Sequence, residues 1–199
     1  MQINNKKQIV LATSNPHKVE EINAIVSNVE FILPPESFNP YENGKTFEEN
    51  SLIKAKEANR LTGKMTLADD SGLCVEYLNG EPGIHSARYA PTAQERIDKL
   101  LEVLQGVENR KAKFVCVMTL LNENGSILKQ ARGECYGEID KLQKGKNGFG
   151  YDPIFIVDGY NKTMAELSEE EKNKISHRAN ALNEIIKFLD NYFSKLQNP

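Results

Sequence analysis

A hydroxyl, an amide and an ammonium group stand close together in TSNPHK, residues 13–18. Free backbone N–H groups at a helix N-terminus attract anions, so this stretch predicts a phosphate-binding site if a helix begins here. It lacks the G-x-x-x-x-G-K pattern of a Walker loop. A simple capped turn, with Asn15 as the cap and Pro16 at the first helical position, explains the same residues. Both interpretations stay open.

Adjacent carboxylates, Asp69 and Asp70, precede Ser71-Gly72 at a predicted break in an apolar strand. Burying an unpaired charge there would be unfavourable, so carboxylates in such a place usually hold a cation or a proton. Asp-Ser-Gly is also common turn chemistry. Glu42, in the polar stretch YENGK, could add a second oxygen ligand, although a solvated loop position explains it too.

Two further stretches stand out, and the first has residues suited to recognising a flat ring. GFGYDP, residues 148–153, places Phe149 and Tyr151 on a turn where we expect both to be exposed beside the acceptor Asp152. Such an arrangement suits stacking on a base and bonding to its edge. Phe149 could equally anchor the loop in the core. Ser176-His177-Arg178 opens a predicted amphipathic helix, where a solvated face with a capping serine is the simplest interpretation.

Periodicity and capping residues predict the elements that must position these stretches. In chain order we expect a strand at 8–13, a helix from Pro16, a helix from Thr46 to Gly63 that carries Lys54, a strand at 65–78 interrupted at 69–72, a helix capped by Thr92 and Glu95, a hairpin around 123–125, a short strand near 155 and a helix from Thr163 to about Phe193. This order predicts an α/β or α+β fold, a mixed sheet with helices packed on it. The polar turns should gather on one side, where sites of such folds tend to lie.

Composition excludes several classes of function. The formal net charge of −3 gives no basic stripe for a nucleic-acid polymer, and the longest apolar run near the N-terminus is too short for a membrane span. The three cysteines form no C-x-x-C pair, and the three histidines lack zinc-site spacing. We therefore expect a cytoplasmic protein, and any metal should be a hard cation bound by oxygen.

Six stretches in this order closely resemble the motifs of the inosine triphosphate pyrophosphatase family: LATSNPHK, TFEENSLIKA, LADDSGLCV, PGIHSARYA, GFGYDPIF and ISHRANAL. Members of that family hydrolyse non-standard purine nucleoside triphosphates such as ITP, dITP and XTP. The resemblance covers nearly the whole chain. It implies a single domain over residues 1–199 with two lobes, a long twisted mixed sheet flanked by helices, an active cleft between the lobes and a homodimer.

The resemblance also implies which residues form the site. It assigns the triphosphate to Thr13, Asn15, Lys18, Lys54 and Lys172, Mg²⁺ to Asp70 and Glu42, the general-base role to Asp70, and a substrate contact to Ser71. It assigns base recognition to Phe149, Tyr151, Asp152, His177 and Arg178, with Ser14 and Gly150 as further substrate contacts. Ser14 departs from the glycine that many members have, and Lys146-Asn147 stands where a further glycine is frequent.

These assignments predict attack of water on the α-phosphorus with release of pyrophosphate. Arg178 would donate to O6 of the base and Asp152 would accept from N1–H, a pattern that adenine cannot match. Two alternatives stay open. A Maf-type pyrophosphatase acting on pyrimidine or modified nucleotides typically has arginine at the place of Lys18 and lacks the Ser-His-Arg triplet. A nucleotide sensor that binds without hydrolysis would have no need of Asp70.

Overall fold

The computed structural model describes residues 7–26 and 29–197, which form a six-stranded mixed sheet flanked by helices. The strands are β1 (Lys7–Leu11), β2 (Val29–Ile32), β3 (Thr66–Val75), β4 (Lys111–Leu121), β5 (Ile127–Ile139) and β6 (Phe155–Val157). The helices are α1 (Pro16–Ile25), α2 (Phe47–Thr62), α3 (Ala93–Val103), α4 (Glu169–Ile175) and α5 (His177–Gln197). The prediction of a mixed α/β fold is confirmed.

The strand order is β2-β1-β3-β4-β5-β6. β1 pairs in parallel with both β2 and β3, while β6 pairs antiparallel with β5. β4 and β5 are consecutive neighbours joined by a short turn, as the predicted hairpin requires. The helix α1 follows β1 directly, so the stretch 13–18 lies at the carboxyl end of a parallel strand.

Two compact units divide the chain. Unit 1 comprises Met1–Asp70, Val117–Arg132 and Ala181–Pro199, and unit 2 comprises Ser71–Cys116 and Gly133–Asn180. Each has its own apolar core: the first contains Val10, Ala55 and Leu121, and the second contains Phe114 and Phe155. The unit boundary falls between Asp70 and Ser71, so two consecutive residues of one strand belong to different units.

The predicted helix caps are present. Asn15 Oδ1 accepts the His17 N–H at 3.0 Å at the start of α1. Thr46 Oγ1 accepts the Glu49 N–H at 3.1 Å at the start of α2. That helix ends at Gly63, whose φ of +63° lies in the left-handed region that glycine adopts most readily. A full capping box between Thr92 and Glu95 begins α3.

The expected break in the third strand is wrong. β3 runs without interruption from Thr66 to Val75 and includes Asp69, Asp70 and Ser71. Extended backbone tolerates these residues because both carboxylates are paired with lysines. Gly72 is needed here for another reason: a Cβ at this position would come within 2.1 Å of the Gly83 carbonyl oxygen. The strand keeps its register, and a neighbouring loop packs directly on its backbone.

The C-terminal helix predicted from Thr163 to Phe193 is instead three pieces: a short 3-10 helix at Met164–Glu166, then α4 and α5. Ser176 separates the last two with an extended ψ of 151°. Its hydroxyl oxygen accepts the Ala179 N–H at 3.1 Å, so it caps the start of α5. The strand β2 was not predicted, because four residues at a sheet edge give too short a pattern.

Candidate active site

The turn between β1 and α1 brings the first group of predicted residues together in unit 1. Thr13 is buried, and its Oγ1 accepts the Asn15 N–H at 3.1 Å. Lys18, in the first turn of α1, places its Nζ 2.8 Å from Asp69 Oδ2. Ser14 is exposed at the tip of the turn. The predicted capped turn is therefore present, and the ammonium group of Lys18 lies beside it.

Lys54 bridges the two carboxylates that were predicted to bind metal. Its Nζ lies 3.0 Å from Asp70 Oδ1 and 3.1 Å from Glu42 Oε2. A lysine in the middle of a helix is normally solvated, but Lys54 is buried. A buried ammonium beside two carboxylates is a charge cluster that a polyanion and a divalent cation could rearrange.

Burial and neighbouring charges oppose each other in this cluster. Burial acts to lower the pKa of Lys54, but the carboxylates of Asp70, Asp69 and Glu42 outweigh it, and the net pKa is raised. Burial also raises the pKa of Asp70, more than the nearby ammonium groups of Lys54 and Lys18 lower it. A carboxyl group with a raised pKa is a stronger base than an exposed aspartate.

The carboxylates fit a hard divalent cation. Asp70 Oδ2 is buried and has no hydrogen-bond partner among residues 7–26 and 29–197, so it is an oxygen that still needs a positive neighbour. Across the same ranges, no group of three or more histidine, cysteine, aspartate or glutamate side chains has the arrangement of a metal site. Mg²⁺ does not need one, because it commonly uses one or two carboxylates together with phosphate oxygens and water.

A second group of predicted residues meets in unit 2 around Asp152. Asp152 Oδ2 accepts the Phe149 N–H at 2.9 Å and a hydrogen bond from Lys172 Nζ at 2.8 Å. Gly148 has a φ of +73°, and a Cβ there would come within 2.0 Å of that oxygen. Only glycine fits at this point, so the turn before Phe149 is closed tightly over a buried carboxylate.

Two cations approach the ring of Phe149. Lys172 Nζ lies 5.0 Å from the ring centroid and Arg178 Cζ lies 5.8 Å from it. Arg178 is only 1% exposed, and its Nη2 donates to Ser71 Oγ at 3.1 Å. His177 is also buried and stacks on Phe114 with ring centroids 4.8 Å apart. His177 and Arg178 are therefore held inside unit 2, and the interpretation as a solvated helix face is wrong.

The model of the Ham1 family matches residues 9–188. The chain belongs to the Ham1 family. A dITP/XTP pyrophosphatase from Treponema denticola is 45% identical over 192 residues, covering 92% of this chain and 98% of that protein. The structure of the Staphylococcus aureus Ham1 protein is 43% identical, covers 94% of this chain and all of that chain, and superposes with a TM-score of 0.85. A dITP/XTP pyrophosphatase structure from Mycobacterium abscessus is 39% identical, with a TM-score of 0.73 over 89% of this chain and 98% of that chain.

The resemblance predicted from the motifs is thereby confirmed: this Ham1 family chain and its relatives share nearly their whole length. One expectation about the base-recognition loop is wrong. Tyr151 is buried rather than exposed, and its hydroxyl donates to the Ser86 carbonyl oxygen at 3.1 Å. Burial raises the pKa of Tyr151 well above its ordinary value. Tyr151 anchors the loop, whereas Phe149 keeps a partly exposed ring.

The structure groups the predicted site residues into two sets. Unit 1 contains Thr13, Ser14, Asn15, Lys18, Glu42, Lys54 and Asp70, and unit 2 contains Ser71, Phe149, Gly150, Tyr151, Asp152, Lys172, His177 and Arg178. Lys172, assigned to phosphate by the resemblance, contacts Asp152 and the Phe149 ring in unit 2. Its phosphate contact stays a prediction.

Sequence reasoning in this Ham1 family member assigned no site role to three residues that support the site, although it named Asp69 as one of two adjacent carboxylates. Asp69 pairs with Lys18, and its position next to Asp70 was the available signal. Ser86, within the motif PGIHSARYA, accepts the Leu73 N–H at 2.9 Å and donates to Gly83 O at 2.6 Å. Phe114 lies under His177 and looks like any apolar strand residue in the sequence.

Proposed function

We propose that this protein hydrolyses non-standard purine nucleoside triphosphates such as ITP, dITP and XTP to the monophosphate and pyrophosphate, and so removes deaminated purines from the nucleotide pool. The observation that carries the proposal is the buried cluster of Lys54, Asp70 and Glu42 beside the Lys18–Asp69 pair. It occurs in a chain whose relatives of matching length are named dITP/XTP pyrophosphatase.

On binding, the triphosphate would replace the carboxylates as the partner of the two lysines. Lys18 and Lys54 are already placed by carboxylates, so a triphosphate can take these cations without a large rearrangement of either helix. Thr13 and the N-terminus of α1 add a hydroxyl and backbone N–H groups. The same cations would stabilise the charge that grows on the pyrophosphate leaving group.

Asp70 would orient and deprotonate the attacking water, because its buried carboxyl group has a raised pKa. Asp70 and Glu42 would hold Mg²⁺. When bound, a divalent cation polarises phosphate oxygens and helps to neutralise the leaving group. Lys54, which touches both carboxylates, would keep their charges close together before substrate arrives.

Base selection would rest on the unit 2 group. Arg178 can donate to O6 of hypoxanthine or xanthine, and Phe149 offers a partly exposed ring for stacking. Asp152, whose Oδ2 accepts from the Phe149 N–H and from Lys172, would accept from N1–H of the base. A site built on such hydrogen bonds rejects a mismatched base by roughly 10⁴-fold.

The homodimer and the cytoplasmic compartment also belong to this proposal, and they rest on the family resemblance. Sedimentation of the purified protein and fractionation of cells would test them. Within residues 7–26 and 29–197, no helix combines the length and apolar character needed to cross a membrane.

Pyrophosphate release with Mg²⁺ from ITP, XTP, dITP, ATP, GTP and UTP tests the function. Rapid release from ITP, XTP and dITP should fall by about 10³-fold in Asp70→Asn, the loss typical of removing a general base. Asp98→Asn, on the exposed face of α3, is the matched control and should keep full activity. Release mainly from UTP would favour a Maf-type enzyme. Tight binding of ITP without release would favour a sensor.

A further inference from the structure

The backbone that follows Glu42 is fastened to the first turn of α2. The Gly44 N–H donates to Asn50 Oδ1 at 2.9 Å, and the Lys45 N–H donates to Glu49 Oε2 at 2.6 Å. Loop amides usually bond to water or to their own loop. Here two consecutive amides are held by side chains of one helix, which restrains the position of Glu42 two residues earlier.

Helix α2 also supplies the cation that meets Glu42. Lys54 follows Asn50 by four residues, so both side chains lie on the same face of the helix. Glu42 Oε2 lies 3.1 Å from Lys54 Nζ. The segment from Glu42 to Gly44 is therefore attached to α2 at both ends, once through a side chain and once through its backbone.

Asn50 is an unusual choice for this position if it only fills space. It is completely buried, and its Nδ2 has no hydrogen-bond partner among the described residues. Burying an unpaired donor is unfavourable, and leucine has the same branched outline, with bulkier methyl groups, without that cost. The part of Asn50 that the structure uses is Oδ1, which accepts from Gly44.

The backbone of Gly44 lies so close to Asn50 and Glu49 that a side chain at residue 44 would not fit. A Cβ at residue 44 would lie 2.6 Å from Asn50 Oδ1 and 2.8 Å from Glu49 Cβ. Any larger residue would push the loop away from α2 and move Glu42 with it. The glycine and the buried amide thus form one matched contact.

We propose that Asn50 is a positioning residue that holds the Glu42 carboxylate at the distance from Asp70 at which both can bind one divalent cation. The contacts of Gly44, Asn50 and Lys54 support the positioning of Glu42. The use of the cation in hydrolysis rests on the proposed function. Groups that orient metal ligands in this way typically change metal affinity or activity by about 10- to 100-fold when they are removed.

Asn50→Leu is the test, compared with Asn50→Asp and with Asn59→Leu. Asn50→Asp keeps the acceptor oxygen and the size of the side chain. Asn59 lies in the same helix, is similarly buried, and donates to the carbonyl oxygens of Lys64 and Asn122 away from Glu42. Asn59→Leu therefore controls for the loss of a buried amide from α2.

Three measurements separate positioning from simple stability. They are amide hydrogen exchange of Gly44 by NMR, Mn²⁺ affinity by electron paramagnetic resonance without nucleotide, and the Mg²⁺ concentration for half-maximal pyrophosphate release from ITP. In Asn50→Leu we expect Gly44 exchange to speed up about tenfold or more, and both metal constants to weaken by about 10- to 100-fold. Asn50→Asp should restore slow Gly44 exchange, which is its only readout because the added carboxyl group changes the charge near Glu42. Asn59→Leu should lower thermal stability only.

Unchanged metal constants in Asn50→Leu, despite rapid Gly44 exchange, would overturn the positioning role. Unchanged Gly44 exchange would overturn the contact itself. If the wild-type protein released no pyrophosphate from any 6-oxo purine while Asn50→Leu still weakened Mn²⁺ binding, the proposed function would fail and the positioning of Glu42 would stand.

Discussion

The charged cluster of unit 1 and the aromatic cluster of unit 2 hold their cations in different ways. In unit 1, Lys18 and Lys54 each contact carboxylates at 2.8–3.1 Å. In unit 2, Lys172 also pairs with a carboxylate, at 2.8 Å from Asp152 Oδ2, but Lys172 and Arg178 in addition flank the ring of Phe149 at 5.0 and 5.8 Å. Ion pairs can be exchanged for other charges, whereas a ring with flanking donors has a fixed shape and direction. The first cluster is suited to phosphate and metal, and the second to a particular base.

The two clusters are also held in place by different kinds of structure. The unit 1 cations lie on α1 and α2, whose N-terminal caps the local sequence determines. The unit 2 loop is held by a buried carboxylate, a buried tyrosine and a glycine that cannot be replaced without a clash. Changes in unit 1 should therefore affect all triphosphates alike, while changes in unit 2 should affect the choice among them.

Of the substitutions that test this division, Lys54→Met should reduce activity most, and it tests whether unit 1 serves all triphosphates alike. The substitution removes the cation shared by Asp70 and Glu42. In the proposed mechanism it also removes a donor to the leaving group. We expect kcat/KM to fall by about 10²- to 10³-fold. The fall should be equal for ITP, XTP and dITP. Steady-state assays measure it, and Lys56→Met, exposed on the same helix, should have no effect. A fall that depended on the base would contradict the division of roles.

Arg178→Met should give a smaller effect that is confined to base selection. Loss of the donor to O6 should reduce the ratio of kcat/KM for ITP over ATP by about 10- to 100-fold. Competition assays with both nucleotides measure that ratio directly. Arg110→Met is the control, because Arg110 is a partly buried arginine of unit 2 that donates to the carbonyl oxygens of Ile139, Leu104 and Asp140. It should lower stability and leave the ratio unchanged.

The unit 1 cluster was largely predictable from sequence because its signals are local. The cap at Asn15, the capping box at Thr46 and the adjacent acids of β3 all depend on residues within a few positions of each other. The pairing of Lys18 with Asp69 and the contacts of Lys54 with Asp70 and Glu42 join separate segments and could not be read locally. Lys54 was ambiguous, because its burial depends on how α2 packs on the sheet.

The unit 2 cluster was less predictable because its contacts join distant parts of the chain. The stacking of His177 on Phe114 and the bond from Tyr151 to Ser86 leave no local pattern. The break at Ser176 was predicted only in part: the serine was named as a cap, but apolar spacing continues on both sides of it, so one helix was expected to run through from Thr163. The family motifs identified these residues as important without showing how they are held.

Asp70→Asn should give the smallest effect in this series when stability, rather than turnover, is measured. Burial raises the folded-state pKa of Asp70 above its ordinary value of 3.8, so the folded protein holds that proton more tightly than the unfolded chain does. The free energy of unfolding that Asp70 contributes therefore falls as pH rises from that ordinary value through the folded-state pKa. Asparagine does not titrate, and its oxygen can still accept from Lys54.

The Tm of Asp70→Asn minus that of wild type should therefore increase with pH across that window and level off below and above it. Thermal unfolding without divalent cations measures it, with Asp98→Asn as the baseline for losing an exposed carboxylate. A bound cation should reverse the trend, because it favours the ionised carboxylate in the folded state. A difference independent of pH would mean that Lys54 and Lys18 fully compensate for burial. In that case the unit 1 cluster would hold Asp70 as an ordinary ion pair, and its basicity would have to come from the bound substrate.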